Sequence, residues 1–564
     1  MSMAATAAGE AAERPSHYKW LALSNTTIGV LLATIDSSIM LIAMPEIFRG
    51  IKLNPLEPGN SFYLLWMILG FLIVSSVLVV SLGRLGDMFG RVRMYNLGFV
   101  IFTVASLILT IDPFTGQPGA MWLIVFRVVQ GIGAAFLVAN SAAILTDAFP
   151  ANQRGLALGI NNIAGISGSF IGLILGGFLA SIDWRLVFLV SVPFGLFGTV
   201  WSYLKLRELG ERHAASIDWA GNITFAAGLI LVMIGITQGI EPANGHPMGW
   251  TSFPVLAMLL GGVALLVAFV VIELRHPDPM FQLHLFAIRP FTFGTLSTFL
   301  SAVGRGGLMF MLIIWLQGIW LPLHGYSFEE TPLWAGILML PLTLGFLLAG
   351  PLSGFLSDRL GARYFATGGM LGATVTFLLL LLLPINFNYW AFAAILLGNG
   401  LSMGAFAAPN RAAIMNSLPA AHRGAGGGMN STFQNSAQVL SIGISFTLMI
   451  IGLSSTLSTT MVQGLIAHGV PEAAAEKVAG LPPVSILFAA FLGYNPIETL
   501  VGPSVLGQLS AANHAALTAP SYFANLISEP FHAGLIEAFG FAALICLIAA
   551  FASWSRGRHA DSGF

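Results

Sequence analysis

Charged residues are scarce in this chain. Of its 564 residues only 8% are Asp, Glu, Lys or Arg, while 56% are hydrophobic. A soluble globular protein has about 25% charged residues. The composition therefore excludes a soluble domain and indicates a polytopic, all-α membrane protein. The net charge of -1 gives no electrostatic reason to expect a nucleic-acid partner.

Cysteine and the usual signatures of catalysis are also nearly absent. Cys546 is the single cysteine, so an intrachain disulfide is impossible, and its apolar surroundings predict helix packing. The sequence contains no GxxxxGK[ST] phosphate loop, which disfavours transport powered by ATP hydrolysis. It also places no paired carboxylates, metal cluster or nucleophile with its base inside an apolar run. We therefore expect no cofactor and no metal, and we disfavour a membrane-embedded enzyme or receptor.

Long apolar runs dominate what is present. A membrane-spanning helix needs about 20 mostly apolar residues, and fourteen runs meet this need. The tail before them has no apolar core of a signal peptide, so we expect the first span to act as an uncleaved anchor. The predicted spans are 20–46, 61–82, 94–112, 119–147, 156–180, 185–205, 218–240, 253–273, 291–322, 332–355, 364–385, 388–416, 427–454 and 532–553.

Lysine and arginine predict the orientation. With a cytoplasmic N-terminus, sixteen of them fall on the cytoplasmic side and four on the other side. Three more, Arg127, Arg305 and Arg411, fall inside spans. This bias predicts a multi-pass protein of the cell membrane with both termini in the cytoplasm.

Two sequence blocks occur twice. The charged stretch 83–93, GRLGDMFGRVR, recurs as GFLSDRLGAR at 354–363 with an offset of 271, and 149–161 aligns with 418–430 at an offset of 269. Two blocks in register predict two related halves, which is typical of secondary transporters with a substrate site between the halves. The predicted divisions are a cytoplasmic tail 1–19, a six-helix bundle 20–205, two inserted helices 218–273, a six-helix bundle 291–553 and a cytoplasmic tail 554–564.

Several motifs together resemble a known family. The GRLGDMFGRVR turn, RVVQGIGAA at 127–135, a glycine-rich fifth span and DWRLVFLVSVPFG at 183–195 resemble the major facilitator superfamily. Fourteen spans and ATIDSSIMLIAMP at 33–45 resemble its fourteen-helix drug:proton antiporters. The resemblance implies two pseudo-symmetric six-helix bundles plus two inserted helices, alternating access, and proton-driven export of lipophilic or cationic compounds.

The resemblance also implies a gating role for the repeated turns. In the family this turn acts as a latch between the halves. The alternative is a set of charges that only holds the loop in the cytoplasm. The residues assigned to gating are Gly83, Asp87, Gly90, Arg91, Asp358 and Gly361.

Asp36 is the acidic residue that falls deep within a span, and such residues are functional candidates. We predict that it is the protonatable site; a static buried ion pair is the alternative. Its predicted partners are Arg127, which opens a stretch tied to proton coupling in the family, and Gln130, one turn along the same face. Arg305 is a further predicted partner, because the repeat offset places it level with Thr34.

Span 5 carries glycines at helical spacing, Gly168, Gly172, Gly176 and Gly177, which predict close helix packing. Antiporters of the family usually have proline after the second of these, where this chain has Leu173. That departure leaves the coupling mode open.

Residues 456–531 form a connection too long for an ordinary loop. Within it, 482–502 is apolar but interrupted by Gly493 and Pro496. We predict that this stretch forms an interfacial or re-entrant helical hairpin on the outer side of the membrane. It either caps the outer exit or folds on the outer rim without touching cargo.

The leading prediction is a proton-coupled exporter of lipophilic or lipid-like small molecules, such as drugs or antibiotics. The alternative is a dedicated lipid or metabolite exporter, or a uniporter, of the same fold. The expected partners are the cargo, protons and membrane lipids, with the protein acting as a monomer.

Overall fold

The computed structural model describes residues 17–557 except 58, 151–152, 210–217, 244–245, 247, 277–278, 280, 420–421 and 494. The two predicted tails lie largely outside this range. Turns and loops join the helices of the described residues, and Ala243 and His246 form one isolated β-bridge. Among the described residues fourteen helices are long and apolar enough to cross a membrane, which confirms the predicted number. These helices, spans 1 to 14, are Tyr18–Gly50, Asn60–Phe89, Arg91–Thr110, Gly116–Ala148, Ala157–Ala180, Leu186–Lys205, Trp219–Gly239, Phe253–Arg275, Arg289–Leu323, Thr331–Ser357, Ala362–Leu382, Tyr389–Asn416, Ala425–Ala467 and Ser528–Ser555.

The ends of the chain share one side of the bundle, here called the terminal face. Tyr18, at the start of span 1, donates its hydroxyl to the carbonyl of Arg207 beyond span 6 at 3.0 Å. Arg289, at the start of span 9, donates to the carbonyl of Ser555 at the end of span 14 at 3.0 Å. The other side is called the opposite face.

The two halves repeat the same helix packing. Spans 2 and 4 cross at Gly131, where an added Cβ would lie 2.8 Å from the carbonyl oxygen of Phe71. Spans 10 and 12 cross at Gly400, where an added Cβ would collide with the carbonyl oxygen of Leu342. Small residues allow such backbone contact between membrane helices. The predicted pair of six-helix bundles is confirmed by this correspondence.

Spans 7 and 8 form a hairpin that covers the seam between the halves. They pack backbone to backbone, since a Cβ on Gly262 would lie 2.8 Å from the carbonyl oxygen of Gly228. Span 7 contacts the first half, where Trp66 donates to Thr237 at 3.4 Å. It also contacts the second half at Gly443 of span 13. Span 7 therefore touches both bundles, and span 8 packs on span 7.

The glycines of span 5 pack in two directions. Gly168, Gly172 and Gly176 face span 1, and a Cβ on Gly176 would lie 2.9 Å from the carbonyl oxygen of Ile39. Gly177 faces the second half, where a Cβ would lie 2.5 Å from the Cα of Leu333. Span 5 thus joins the first half to span 10 near the opposite face.

Leu173 takes part in the same contact between halves. It is buried, and its carbonyl oxygen would lie 3.1 Å from a Cβ on Gly336 of span 10. Nearby, Gln317 of span 9 donates to the carbonyl of Ile42 of span 1 at 3.3 Å. These contacts hold the halves together near the opposite face.

The long connection after span 13 is shorter than predicted, because span 13 continues to Ala467 instead of ending at 454. Helices 472–479 and 483–491 are bent by 86° at the break between them. The predicted interfacial or re-entrant hairpin at 482–502 stays a prediction. The insert contains the short helices Glu472–Ala479, Pro483–Phe491, Ile497–Val501, Pro503–Leu506, Ala511–Thr518 and Pro520–Leu526.

Helix Pro483–Phe491, called the insert helix, is buried along its whole length. Phe488 stacks on Phe446 of span 13, with ring centroids 5.1 Å apart. Beyond its end, the carbonyl of Leu492 accepts a hydrogen bond from Arg49 of span 1 at 3.3 Å. The chain then turns at Gly493, which has a φ of 68°. This part of the insert therefore contacts span 1 of the first half and span 13 of the second half.

We expect Gly177→Ala to lower the midpoint of thermal denaturation of the purified protein. The added methyl group meets backbone atoms that cannot rotate away, and such overpacking costs about 1 to 3 kcal/mol. Gly159→Ala on the same helix is the control, because a Cβ there would have no neighbour within 4 Å. An equal effect of both substitutions would contradict this packing.

Candidate functional site

Asp36 lies midway along span 1, which runs unbroken from Tyr18 to Gly50. Its side chain is 0% exposed. Oδ2 accepts from Nη1 of Arg127 in an ion pair, and Oδ1 accepts from Nε2 of Gln130 at 2.8 Å. The carboxylate therefore has a donor on each oxygen.

Both donors come from span 4. Arg127 and Gln130 are three residues apart, so they share one face of the helix. The side-chain oxygen Oε1 of Gln130 accepts from Nη1 of Arg127 at 2.7 Å. Its side-chain nitrogen Nε2 donates to Asp36 and also to Oγ of Ser106, each at 2.8 Å. The structure thus brings together three of the four residues predicted for proton coupling in one closed network.

Two residues from span 2 complete the surroundings of Arg127. The guanidinium carbon lies 4.3 Å from the ring centroid of Phe71, a cation–π contact. Nε donates to the carbonyl of Met67 at 3.4 Å. Phe71 and Ser106 were not predicted, because nothing marks one phenylalanine or serine among the many in the spans.

The ion pair of Asp36 and Arg127 joins span 1 to span 4. A buried ion pair is stable only while both charges are present, and removing one leaves the other uncompensated. Protonation of Asp36 would therefore free Arg127 to move with span 4. Because Asp36 is 0% exposed, water on either side does not reach its carboxylate in this conformation.

The structure places Arg305 elsewhere. It ends the helix Arg289–Arg305 at mid-length of span 9, where the chain breaks at Gly306 and Gly307. Its neighbour across the helix contact is Cys546 of span 14. Among the described residues no hydrogen bond or ion pair joins Arg305 to Asp36, Arg127 or Gln130, and its role in coupling stays a prediction.

On the terminal face, Arg91 joins two carboxylates within the first half. Its Nε donates to Asp87 at 2.8 Å and its Nη1 to Asp147 at 2.6 Å. The turn between spans 2 and 3 passes through Gly90 at a φ of 109°, and the Glu208 carboxylate accepts from the backbone amide of Val92. Asp147 and Glu208 were not predicted, because they lie in sequence far from the turn.

The second copy of the turn has the same backbone. Gly361 has a φ of 91° where Gly90 has 109°. Gly83 faces Ala139, and its counterpart Gly354 faces Ala408, at 3.8 and 3.7 Å from an added Cβ. The side chain of Asp358 lies outside the described residues. Gating by the two turns stays a prediction.

Two related helix bundles, a hairpin across their seam and a charge network inside one bundle define a membrane transporter. The model of the Major Facilitator Superfamily matches residues 26–442. The chain belongs to this superfamily and is a multi-pass membrane transporter, not an enzyme.

Named relatives include two transporters. The chain is 28% identical over 423 residues to the riboflavin transporter RibZ of Clostridioides difficile, covering 74% of this chain and 85% of RibZ. It is 26% identical over 554 residues to the tetracenomycin C resistance and export protein of Streptomyces glaucescens, covering 96% and 92%. The fold is shared with a solved bacterial homolog of the human lysosomal transporter Spinster, in an inward-facing and occupied conformation. The TM-score is 0.56 and the sequence identity is 17%, and the match covers 96% of this chain and 98% of that chain.

We expect Arg127→Met to lower thermal stability strongly, because it leaves the buried Asp36 carboxylate without its cation. Loss of one partner of a buried pair costs about 3 to 5 kcal/mol. The double variant Asp36→Leu/Arg127→Met should lose less than the two single variants combined. Thermal denaturation of the four proteins measures this coupling.

The control for this cycle is Arg185→Met, because Arg185 lies over the ring of Trp184 near the opposite face. It should change stability little. Additive losses in the double variant would contradict a coupled pair.

Proposed function

We propose that the protein exports lipophilic or amphiphilic small molecules, such as drugs or antibiotics, by proton antiport with alternating access. The observation that carries this proposal is the closed network of Asp36, Arg127 and Gln130. It supplies one protonatable group, placed midway along a span and paired with a cation on another helix.

The coupling follows from competition for Asp36. While the carboxylate is charged, Arg127 holds spans 1 and 4 together. When a proton binds, the charge that attracts Arg127 disappears and the two helices can move apart. A change of this kind that accompanies cargo release would link proton entry to export.

Contacts between the halves support alternating access. Gly177 meets Leu333 across the halves near the opposite face, and the insert helix packs on span 13 of the second half. Release of cargo on that side requires these contacts to separate. The turn at Asp87 and Arg91 is the proposed latch of the terminal face.

The names of the relatives support an organic cargo. Tetracenomycin C resistance and export, in a protein matched over 96% of this chain, favours drug or antibiotic export. The relative named a riboflavin transporter favours the alternative, a dedicated exporter or uniporter of one metabolite or lipid. Leu173 keeps that alternative open, since antiporters resembling this chain usually have proline there.

The proposal also covers the membrane location, the orientation and the oligomeric state of the protein. The distribution of lysine and arginine supports a cell membrane location with the terminal face in the cytoplasm. We further propose a monomer that exchanges protons and contacts membrane lipids.

Transport by inverted membrane vesicles tests the proposal. With ethidium as a lipophilic cation and riboflavin as a second probe, uptake should rise when the vesicle interior is acidified. Asp36→Asn should abolish this gradient-driven uptake, because asparagine cannot carry the proton, yet binding of the probe should persist.

Glu472→Gln is the matched control, since Glu472 is exposed in the insert. It should leave transport unchanged. Gradient-driven uptake that survives in Asp36→Asn would remove the proton role. Uptake of riboflavin alone, independent of the gradient, would favour the dedicated uniporter.

A further inference from the structure

The terminal-face end of the inserted hairpin carries two buried carboxyl groups that the proposed transport cycle does not use. Asp218 directly precedes span 7 and is 2% exposed, and Glu273 lies in the last turn of span 8 and is 3% exposed. Buried charges of this kind need partners.

Each carboxyl group uses one oxygen to accept from a backbone amide. Oδ1 of Asp218 accepts from the amide of Gly221 at 2.7 Å and caps span 7. Oε2 of Glu273 accepts from the amide of Phe281 at 2.8 Å. The remaining oxygens, Oδ2 of Asp218 and Oε1 of Glu273, are buried without a hydrogen-bond partner among the described residues.

These two oxygens lie close together beside the Cα of Gly221. A Cβ added to Gly221 would contact both of them, with Oε1 of Glu273 at 2.8 Å. The two carboxyl groups are within hydrogen-bonding reach of each other. Two carboxylates cannot donate to one another, whereas one proton between them supplies the missing partner of both oxygens.

We propose that Asp218 and Glu273 share one proton and form a second proton-binding site, separate from Asp36. The site lies on the inserted hairpin near the terminal face.

The surroundings of this pair indicate what the proton controls. Arg84, in the repeated turn of span 2, donates to the carbonyl of Pro279 in the linker that follows span 8. Glu273 holds the same linker at the amide of Phe281, and the Phe281 ring packs on Phe433 of span 13 with centroids 5.7 Å apart. The pair therefore sits where the hairpin, the first half and the second half meet.

Loss of the proton would place two negative charges side by side in a buried site, which is unfavourable. Among the described residues, Asp218 and Arg84 are the charged groups that act on Glu273. Span 13 presents the ring of Phe433 there. Deprotonation thus draws Arg84 from Pro279 and releases the linker. The site makes the docking of the linker sensitive to pH on the terminal face.

Thermal denaturation of the purified full-length protein between about pH 5 and pH 9 tests this site. A proton bound more tightly in the folded protein stabilises it at low pH, and this stabilisation is lost as pH rises. The wild-type midpoint should therefore fall as pH rises. Glu273→Gln, whose amide supplies the missing donor, should remove this part of the pH dependence.

Asp218→Asn should have the same effect as Glu273→Gln, and the double variant should add nothing, because both remove the same proton. Asp218→Asn also carries the test if the other variant does not fold. Hydrogen exchange gives a second readout: the peptide containing Phe281 should lose protection at high pH in the wild type but not in Glu273→Gln.

Glu241 provides a matched control. It lies beyond span 7, burial raises the pKa of its carboxyl group, and the hydroxyl of Ser61 donates to it and opposes that rise. Its own contribution to stability is also lost as pH rises, so Glu241→Gln should add to the effect of Glu273→Gln.

Three results would overturn the proposal. The first is an unchanged pH dependence in Glu273→Gln, and the second is additive effects of Asp218→Asn and Glu273→Gln. The third is a wild-type midpoint that differs between sodium chloride and choline chloride at constant pH, which would indicate a bound metal cation. None of these measurements involves transport. A result that overturns the Asp218–Glu273 site therefore leaves the proposed proton coupling at Asp36 untouched.

Discussion

A charge in the middle of an apolar bundle must be neutralised nearby, and this requirement organises the first half of the transporter. Asp36 meets it through Arg127, which in turn needs Gln130 and the ring of Phe71 around it. Gly131 lets span 2 approach span 4 closely enough to supply that ring. The helices are thus packed around one ion pair, and we propose that a proton neutralises its negative member, Asp36.

Much of this arrangement could be predicted from the sequence. Apolar length predicts the spans, and the repeat offsets predict two halves, because duplicated helices keep the same close contacts at Gly131 and Gly400. Asp36 and Arg127 stand out because charge inside a span is rare. Ser106 could not be predicted, since which hydroxyl meets Gln130 depends on helix rotation and tilt.

The rest depends on tertiary packing that local patterns do not record. Span 13 was predicted to end at 454, but Leu457, Met461 and Leu465 are buried against the insert and the helix continues. Asp218 and Glu273 are separated by the whole inserted hairpin, so only its folding brings them together. Their position suggests that the hairpin, besides covering the seam, links proton binding to the repeated turn.

The central claim is that Asp36 exchanges its proton as cargo binds. Proton release from the purified protein in weakly buffered detergent solution, followed with a pH indicator while ethidium is added, tests this most directly. The account predicts that the wild type releases a proton on binding ethidium and that Asp36→Asn binds ethidium without release. Equal proton release by both proteins would contradict it.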